Sequence, residues 1–178
     1  SHSAVGSAGP RGAVALQQDR VALACGGTGG HFFPGLATAE ILLERGHDGV
    51  LWMAGKDGES RLAQSWNGPV ITVPAEGFTS RAPAKAVHSA WSMVRAAHTC
   101  IGVMRENPPD ILLGMGSYAS VGPLWAATRL HIPFVLHEAN VMPGRAVSLF
   151  SRWASAIAGS FEETRYYLPG KELVLTGI

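Results

Sequence analysis

The sequence predicts an α/β fold in which helices cover both faces of a parallel sheet. Short runs of apolar and β-branched residues alternate with longer segments of helical periodicity, and this alternation is typical of repeated strand–helix–strand units. Two of the runs are followed by glycine-rich stretches, which are common where a parallel strand turns into a helix. Helices are therefore expected on both faces of the sheet.

Seven runs are predicted to be strands, and they occupy residues 21–25, 49–54, 69–73, 110–114, 133–137, 155–159 and 172–176. The segments between them are predicted to be helical. The clearest has Pro34 near its start and Gly46 at its end, as helix punctuation favours. Ligands of such sheets bind beyond the carboxyl ends of the strands, so the loops that follow strands are the places to seek function.

Composition limits the classes of protein to consider. The chain has 178 residues, of which 47% are hydrophobic and 15% charged, as expected for one packed domain. A formal net charge of +1 gives no general attraction for nucleic acid, so no nucleic-acid partner is expected. Cys25 and Cys100 are far apart and lack metal-ligand spacing, which fits a reducing cytoplasm.

The first 19 residues are small, polar and aperiodic, and they are interpreted as a tag or leader that precedes a single domain over residues 20–178. No apolar run approaches the ~20 residues that span a bilayer. If a membrane matters to this protein, the domain is expected to lie on its surface.

The first glycine motif, Cys25–His31 (CGGTGGH), follows the first predicted strand. Glycines at this position let the backbone approach an anion closely and direct amides at it, so a phosphate or diphosphate site is predicted. No Lys-Ser/Thr pair follows, which excludes a Walker A loop, and the dinucleotide fingerprint is matched only loosely. The alternative is a tight turn without a ligand.

Two further motifs follow later strands. The second glycine motif, residues 114–123 (GMGSYASVGP), predicts another anion site, with a plain turn and a surface tyrosine as the alternative. The third motif, residues 137–144 (HEANVMPG), places His137, Glu138 and Asn140 at a strand end. These polar residues are either a ligand-binding set or an internal hydrogen-bond network, and Glu138 is also a candidate to orient His31.

The three motifs, in this order and spacing, resemble those of the MurG family, whose patterns are G-G-T-G-G-H-x-x-P, G-x-G-G-Y-x-S-x-P and H-E-x-N. The resemblance covers roughly residues 20–178. It implies a Rossmann-like domain that forms the N-terminal, acceptor-binding half of an inverting GT-B glycosyltransferase. Such enzymes move N-acetylglucosamine from UDP-GlcNAc to lipid I, which forms lipid II for peptidoglycan. UDP-GlcNAc is then expected to bind mainly to a C-terminal donor domain.

The resemblance also assigns roles by position. The residues implied to bind the acceptor and its diphosphate are Thr28, Gly29, Gly30, Gly116, Ser117, Tyr118, His137, Glu138 and Asn140. The chain departs from the family at three positions. Ser117 replaces a glycine and is expected to narrow the phosphate site, Ala139 replaces a common glutamine, and Val147 replaces an asparagine and removes a polar group from the cleft edge.

His31 is the candidate catalytic base. An acceptor hydroxyl must lose its proton as it attacks the anomeric carbon, and an imidazole titrates near the working pH. The alternative is that His31 only donates a hydrogen bond to the acceptor diphosphate. No Asp-x-Asp motif occurs in the interior loops, so neither a metal nor another cofactor is expected.

A lipid-linked acceptor implies contact with an anionic membrane, at the cytoplasmic face of the bacterial inner membrane. Residues 85–105 predict a helix with an apolar arc wider than one core contact requires. The predicted membrane patch comprises Phe78, Arg81, Lys85, Trp91, Arg95 and Trp125. The alternative is a buried helix with Trp91 in the core.

Two other functions remain open on the sequence. The chain could be a non-catalytic acceptor-binding subunit of a split glycosyltransferase that acts on another polyprenyl-linked sugar. It could also be a nucleotide-binding regulatory domain, although no acidic residue ends the second predicted strand to bind a ribose.

Overall fold

A computed structural model of the chain describes residues 18–26, 29–55, 61, 63–74 and 83–177. All seven predicted strands are confirmed, with each end within one residue of its prediction. They are β1 (Arg20–Ala24), β2 (Asp48–Ala54), β3 (Val70–Val73), β4 (Ile111–Gly114), β5 (Phe134–Glu138), β6 (Ala156–Gly159) and β7 (Leu173–Leu175).

Four α-helices connect these strands: α1 (Gly29–Glu44), α2 (Pro83–Glu106), α3 (Val121–Leu130) and α4 (Arg145–Phe150). Gly46 ends α1 as predicted, with φ +85°, and the amides of Gly46 and His47 bond back to the carbonyls of Leu43 and Leu42. These two hydrogen bonds form a Schellman motif, in which glycine adopts the left-handed conformation without strain.

The start of α1 differs from the prediction. The helix begins at Gly29, five residues before Pro34, so Gly29, Gly30 and His31 form its first turn and not a glycine loop. The sequence did not predict this helical turn, because glycine has the lowest helix propensity of the non-proline residues. The consequence is that His31 is held by a helix.

All six strand pairs are parallel, and the sheet order is β3-β2-β1-β4-β5-β6-β7. The order reverses between β1 and β4, which are neighbours although α1, β2, β3 and α2 separate them in the chain. Connections leave the carboxyl ends of these two strands in opposite directions, so a crevice forms there. The first and second glycine motifs follow β1 and β4 respectively, so the topology brings both to this crevice.

Helices pack on both faces of the sheet, as predicted, but unevenly. One core lies under α1 and contains Phe32 and Leu36 together with Leu23 and Met53. The other lies under α2, α3 and α4 and contains Met104, Leu124 and Phe150 among others. Strand side chains alternate between the two cores, as the two-residue period of a strand requires.

The two cysteines are buried and free, and each packs against a glycine of a helix. Burial raises the pKa of Cys25 and of Cys100 to about 12, so both thiols stay protonated at neutral pH and are not nucleophiles. Cys25 lies where α1 crosses β1, and a Cβ on Gly35 would collide with its Sγ atom and lie 3.3 Å from Met115 Cγ.

This contact predicts that Gly35→Ala lowers the free energy of unfolding by about 1–3 kcal/mol, because overpacking outweighs the helix propensity that alanine gains. In a Cys25→Ala background the added methyl group enters the space that Sγ vacates. We therefore expect a favourable coupling of about 1 kcal/mol or more between the two substitutions in urea unfolding.

Gly102 provides the matched control, because it is an exposed glycine of α2 whose added Cβ meets no described atom within 4 Å. Gly102→Ala should raise stability by about 0.5–1 kcal/mol. If Gly35→Ala is also stabilising, the close packing of α1 on Cys25 is wrong.

Candidate functional site

A cavity of about 650 Å³ opens at the carboxyl-terminal edge of the sheet. All three motifs contribute to its lining, since β1, β4 and β5 end at the same edge. The predicted site residues that line it are Gly30, His31, Gly116, Ser117, Tyr118, His137, Glu138 and Asn140. A Cβ on Gly30 would meet no described atom within 4 Å, so its Cα leaves space for a ligand. Gly29 begins α1 beside it, and Thr28 lies outside the described residues.

His31 connects the first and second motifs. Its Nδ1 lies 2.9 Å from the carbonyl oxygen of Met115, and its ring packs against Gly116, whose added Cβ would lie 3.4 Å from Cε1. A carbonyl only accepts hydrogen bonds, so Nδ1 carries the proton in the neutral ring. The lone pair is therefore on Nε2, the atom that a base would use. The expectation that Glu138 orients His31 is wrong, because the Met115 carbonyl does so.

Glu138 fastens the third motif to itself. The buried carboxylate accepts hydrogen bonds from the backbone N–H of Asn140 (2.9 Å), the side-chain amide of Asn140 (3.2 Å) and the N–H of Gly144 (2.8 Å). The Asn140 carbonyl also accepts a bond from Thr164 Oγ1. These contacts match the internal-network alternative and satisfy a buried charge, so a ligand contact by Glu138 or Asn140 stays a prediction.

His137 is half-buried and lines the cavity from β5, the strand next to β4. Burial lowers the pKa of His137, the negative charge of Glu138 opposes this, and the nearby His31 imidazole lowers it further. His137 is therefore neutral at pH 7, when one ring nitrogen can donate a hydrogen bond and the other can accept one.

Ser117 has a strained backbone, with φ 79° and ψ 166°, a region that only glycine enters freely. Its hydroxyl packs against Gly26 at the end of β1, where an added Cβ would collide with Oγ and lie 2.9 Å from Ser117 Cβ. Among the described residues, this Oγ is a buried side-chain atom without a hydrogen-bond partner. Serine in place of the family glycine therefore lowers stability through backbone strain and an unpaired hydroxyl. The hydroxyl faces Gly26 of the first motif.

Ser120, which the sequence reasoning did not select, holds the second motif against β1. Its buried hydroxyl lies 2.7 Å from the carbonyl of Gly116 and 3.2 Å from that of Ala24. Arg145 was also missed, although it lines the cavity as the first residue of α4. Its sequence position just after the third motif was the available signal. Val147, expected at the cleft edge, does line the cavity, although it is only 1% exposed and also packs in the core.

The helix predicted over residues 85–105 is confirmed as α2, while its contact with a membrane stays a prediction. The described residues divide its apolar arc in two. Val87, Trp91 and Val94 are exposed at 72%, 62% and 52%, whereas Cys100 and Met104 are fully buried. The alternative that Trp91 is a core residue is therefore wrong. No helix in the described part of the chain is both long and apolar enough to cross a bilayer.

Of the other residues in the predicted membrane patch, the structure describes the side chains of two. Arg95 is exposed on α2, and Trp125 on α3 is 38% exposed with the Arg129 guanidinium 5.8 Å from its ring centre. Phe78, Arg81 and the side chain of Lys85 lie outside the described residues. No group of three or more potential metal ligands occurs within the ranges that the structure describes.

Comparison with known proteins agrees with this geometry. The family model for the glycosyltransferase family 28 N-terminal domain matches residues 21–159. The chain belongs to this family. The resemblance to MurG is thereby supported, and so is a Rossmann-like domain of the GT-B type.

Individual relatives point the same way. The UDP-N-acetylglucosamine--N-acetylmuramyl-(pentapeptide) pyrophosphoryl-undecaprenol N-acetylglucosamine transferase of Geotalea uraniireducens is 34% identical over 160 residues, which cover 89% of this chain and 44% of the relative. Crystalline Acinetobacter baumannii MurG is 27% identical with a TM-score of 0.77, over 89% of this chain and 45% of that one. A UDP-N-acetylglucosamine 2-epimerase structure from Listeria monocytogenes, at 15% identity and TM-score 0.70 over 91% of this chain and 46% of that one, shares the fold alone. The chain spans less than half the length of these relatives.

The strain at Ser117 predicts that Ser117→Gly stabilises the chain by about 1 kcal/mol or more. Relief of the strained backbone and of the unpaired hydroxyl, each about 1–3 kcal/mol, outweighs the chain entropy of glycine at about 0.5–1 kcal/mol. Thermal and urea unfolding measure the difference.

Ser120→Ala is the matched control in the same loop, since its hydroxyl is bonded and its loss should cost about 1 kcal/mol. Gly26→Ala should be destabilising alone and tolerated together with Ser117→Gly. A destabilised Ser117→Gly variant would contradict the strained conformation.

Proposed function

We propose that this chain is the acceptor-binding domain of a glycosyltransferase that moves N-acetylglucosamine from UDP-GlcNAc to lipid I. The observation that carries the proposal is the convergence of the three motifs on one cavity, with His31 oriented by the Met115 carbonyl. The names of the curated relatives, which describe this transfer for those proteins, supply the substrates.

His31 acts as the general base in this proposal. The acceptor hydroxyl loses its proton to Nε2 as the oxygen forms a bond to the anomeric carbon and the UDP diphosphate leaves. Nδ1–H keeps its bond to Met115 throughout, so the imidazolium that forms is stabilised by a fixed carbonyl dipole. Gly30, whose added Cβ would meet no described atom within 4 Å, leaves room for the acceptor diphosphate beside this histidine.

We assign the nucleotide sugar mainly to a separate donor-binding domain, as the family resemblance implies. The relatives are more than twice as long as their match to this chain, which leaves room in them for such a domain. Within this chain, the cavity holds the acceptor, whose hydroxyl has to meet the donor above the carboxyl-terminal edge of the sheet. By itself the chain is therefore expected to bind acceptor but not to transfer sugar.

Membrane contact belongs to the same proposal, since a polyprenyl acceptor stays anchored while its sugar enters the cavity. α2 starts at the carboxyl-terminal edge after β3 and runs to the opposite edge before β4. Its exposed apolar residues Val87, Trp91 and Val94 thus lie in the half of the helix nearer the cavity, and Met93 of the same half lines the cavity. An apolar surface beside cations is typical of interfacial binding to anionic lipid.

If His31 is the base, His31→Ala should lower kcat by about 10²–10⁴ in a protein that also carries a donor-binding domain. Turnover of a lipid I analogue measures this. A role limited to hydrogen bonding of the diphosphate would instead raise KM with little change in kcat.

His131→Asn is the matched control for this experiment. His131 lies at the opposite edge of the sheet and adopts the left-handed conformation at φ 56°, which asparagine tolerates. This variant should keep wild-type kcat. A near-normal kcat for His31→Ala would exclude the base assignment.

The membrane proposal predicts that Trp91→Ser weakens co-sedimentation with liposomes that contain anionic lipid. Charge reversal of Arg81, Lys85 and Arg95 should weaken it by roughly a hundredfold at low salt, because each cation contributes about 1 kcal/mol near such a surface. Added salt should reduce the electrostatic part only.

Trp153→Ser is the matched control, because Trp153 is 45% exposed just before β6, at the opposite edge of the sheet. Its loss should leave binding unchanged. Equal binding by wild type and all variants, whatever the lipid charge, would move membrane contact to another surface.

A further inference from the structure

Arg145 is the one arginine or lysine among the described residues that line the cavity, and it has no part in the proposed proton transfer. The two described ion pairs of the chain are His47–Asp19 and Arg165–Glu162, and neither involves Arg145. A guanidinium that lines a cavity without a carboxylate partner is available to an anionic ligand.

Glu138, the acidic residue nearest to Arg145 in the sequence, forms no ion pair with it among the described residues. Both oxygens of Glu138 accept bonds from the third motif, and one of these bonds comes from the N–H of Gly144, the residue before Arg145. The Gly144 carbonyl in turn accepts the first helical bond of α4, from Ser148. The carboxylate therefore fixes the backbone from which Arg145 extends.

The other titratable groups of the described lining are His31, His137, Glu138 and Tyr118. His137 is neutral at pH 7 because burial lowers its pKa, and the negative charge of Glu138 is already hydrogen-bonded within its own loop. Arg145 thus provides the cavity with a positive charge that does not depend on pH.

We propose that Arg145 binds an anionic group of the acceptor, a phosphate or a carboxylate, at the α4 side of the cavity. This deepens the proposed function and rests on it, because the acceptor proposed above carries both a diphosphate and a peptide. Guanidinium binds either group through two parallel hydrogen bonds, and the choice between them is left to the ligands of the test.

Calorimetric titration of the 178-residue chain with two ligands tests the proposal. One is inorganic pyrophosphate, and the other is N-acetylmuramyl-pentapeptide, which has carboxylates but no phosphate. Arg145→Gln should weaken one or both by about tenfold, and Arg145→Lys by less, because lysine keeps the charge but not the paired geometry. The ligand that is weakened identifies the anionic group.

Arg105→Gln is the matched control, since Arg105 is an exposed cation at the far end of α2 and its loss changes the net charge equally. Equal binding of both ligands by wild type and Arg145→Gln overturns the Arg145 assignment and leaves the proposed function standing. Failure of the wild type to bind either ligand overturns both. Unchanged thermal unfolding of Arg145→Gln ensures that lost binding is not lost folding.

Discussion

The site depends on the pairing of β1 with β4. This register sets Ala24 beside Gly114, so the chain segments that follow both strands leave the sheet next to each other. The Met115 amide bonds to the Ala24 carbonyl, and the Ser120 hydroxyl reaches the same carbonyl. Since α1 packs on one face and α3 on the other, the two segments diverge and leave an open crevice between them.

His31 is positioned by this arrangement and not by a dedicated acidic partner. The first turn of α1 carries the ring over Gly116, and the carbonyl that accepts its Nδ1–H belongs to Met115, the residue directly after β4. An added Cβ on Gly116 would only touch the ring, at 3.4 Å, so it is φ +87° that favours glycine at this position. Glycine at this position therefore lets the backbone of the second motif lie directly against the histidine ring.

Strands, sheet type and the convergence of the motifs could be predicted from the sequence, because a fully buried parallel strand shows as a continuous apolar run. The partners of individual side chains could not. Glu138 was expected to reach His31 across the sheet, yet three donors of its own loop satisfy it first, since local hydrogen bonds need less chain ordering. Likewise the sequence alone does not tell that Val147 is buried where it lines the cavity, or that Arg145 lines the same cavity.

The apolar pattern of α2 could be predicted from the sequence. Which of its apolar residues are buried could not, because a helix that faces the core and a helix that faces a membrane show the same hydrophobic periodicity. The second half of the helix packs with α3 against the core through Cys100 and Met104, whereas Val87 and Trp91 in the first half are exposed. An exposed tryptophan and valine on one helix face lower solubility unless a membrane or another protein covers them. Under the proposed function this exposure has a physical reason, because the proposed lipid-linked acceptor and the domain that binds it would meet the same membrane surface.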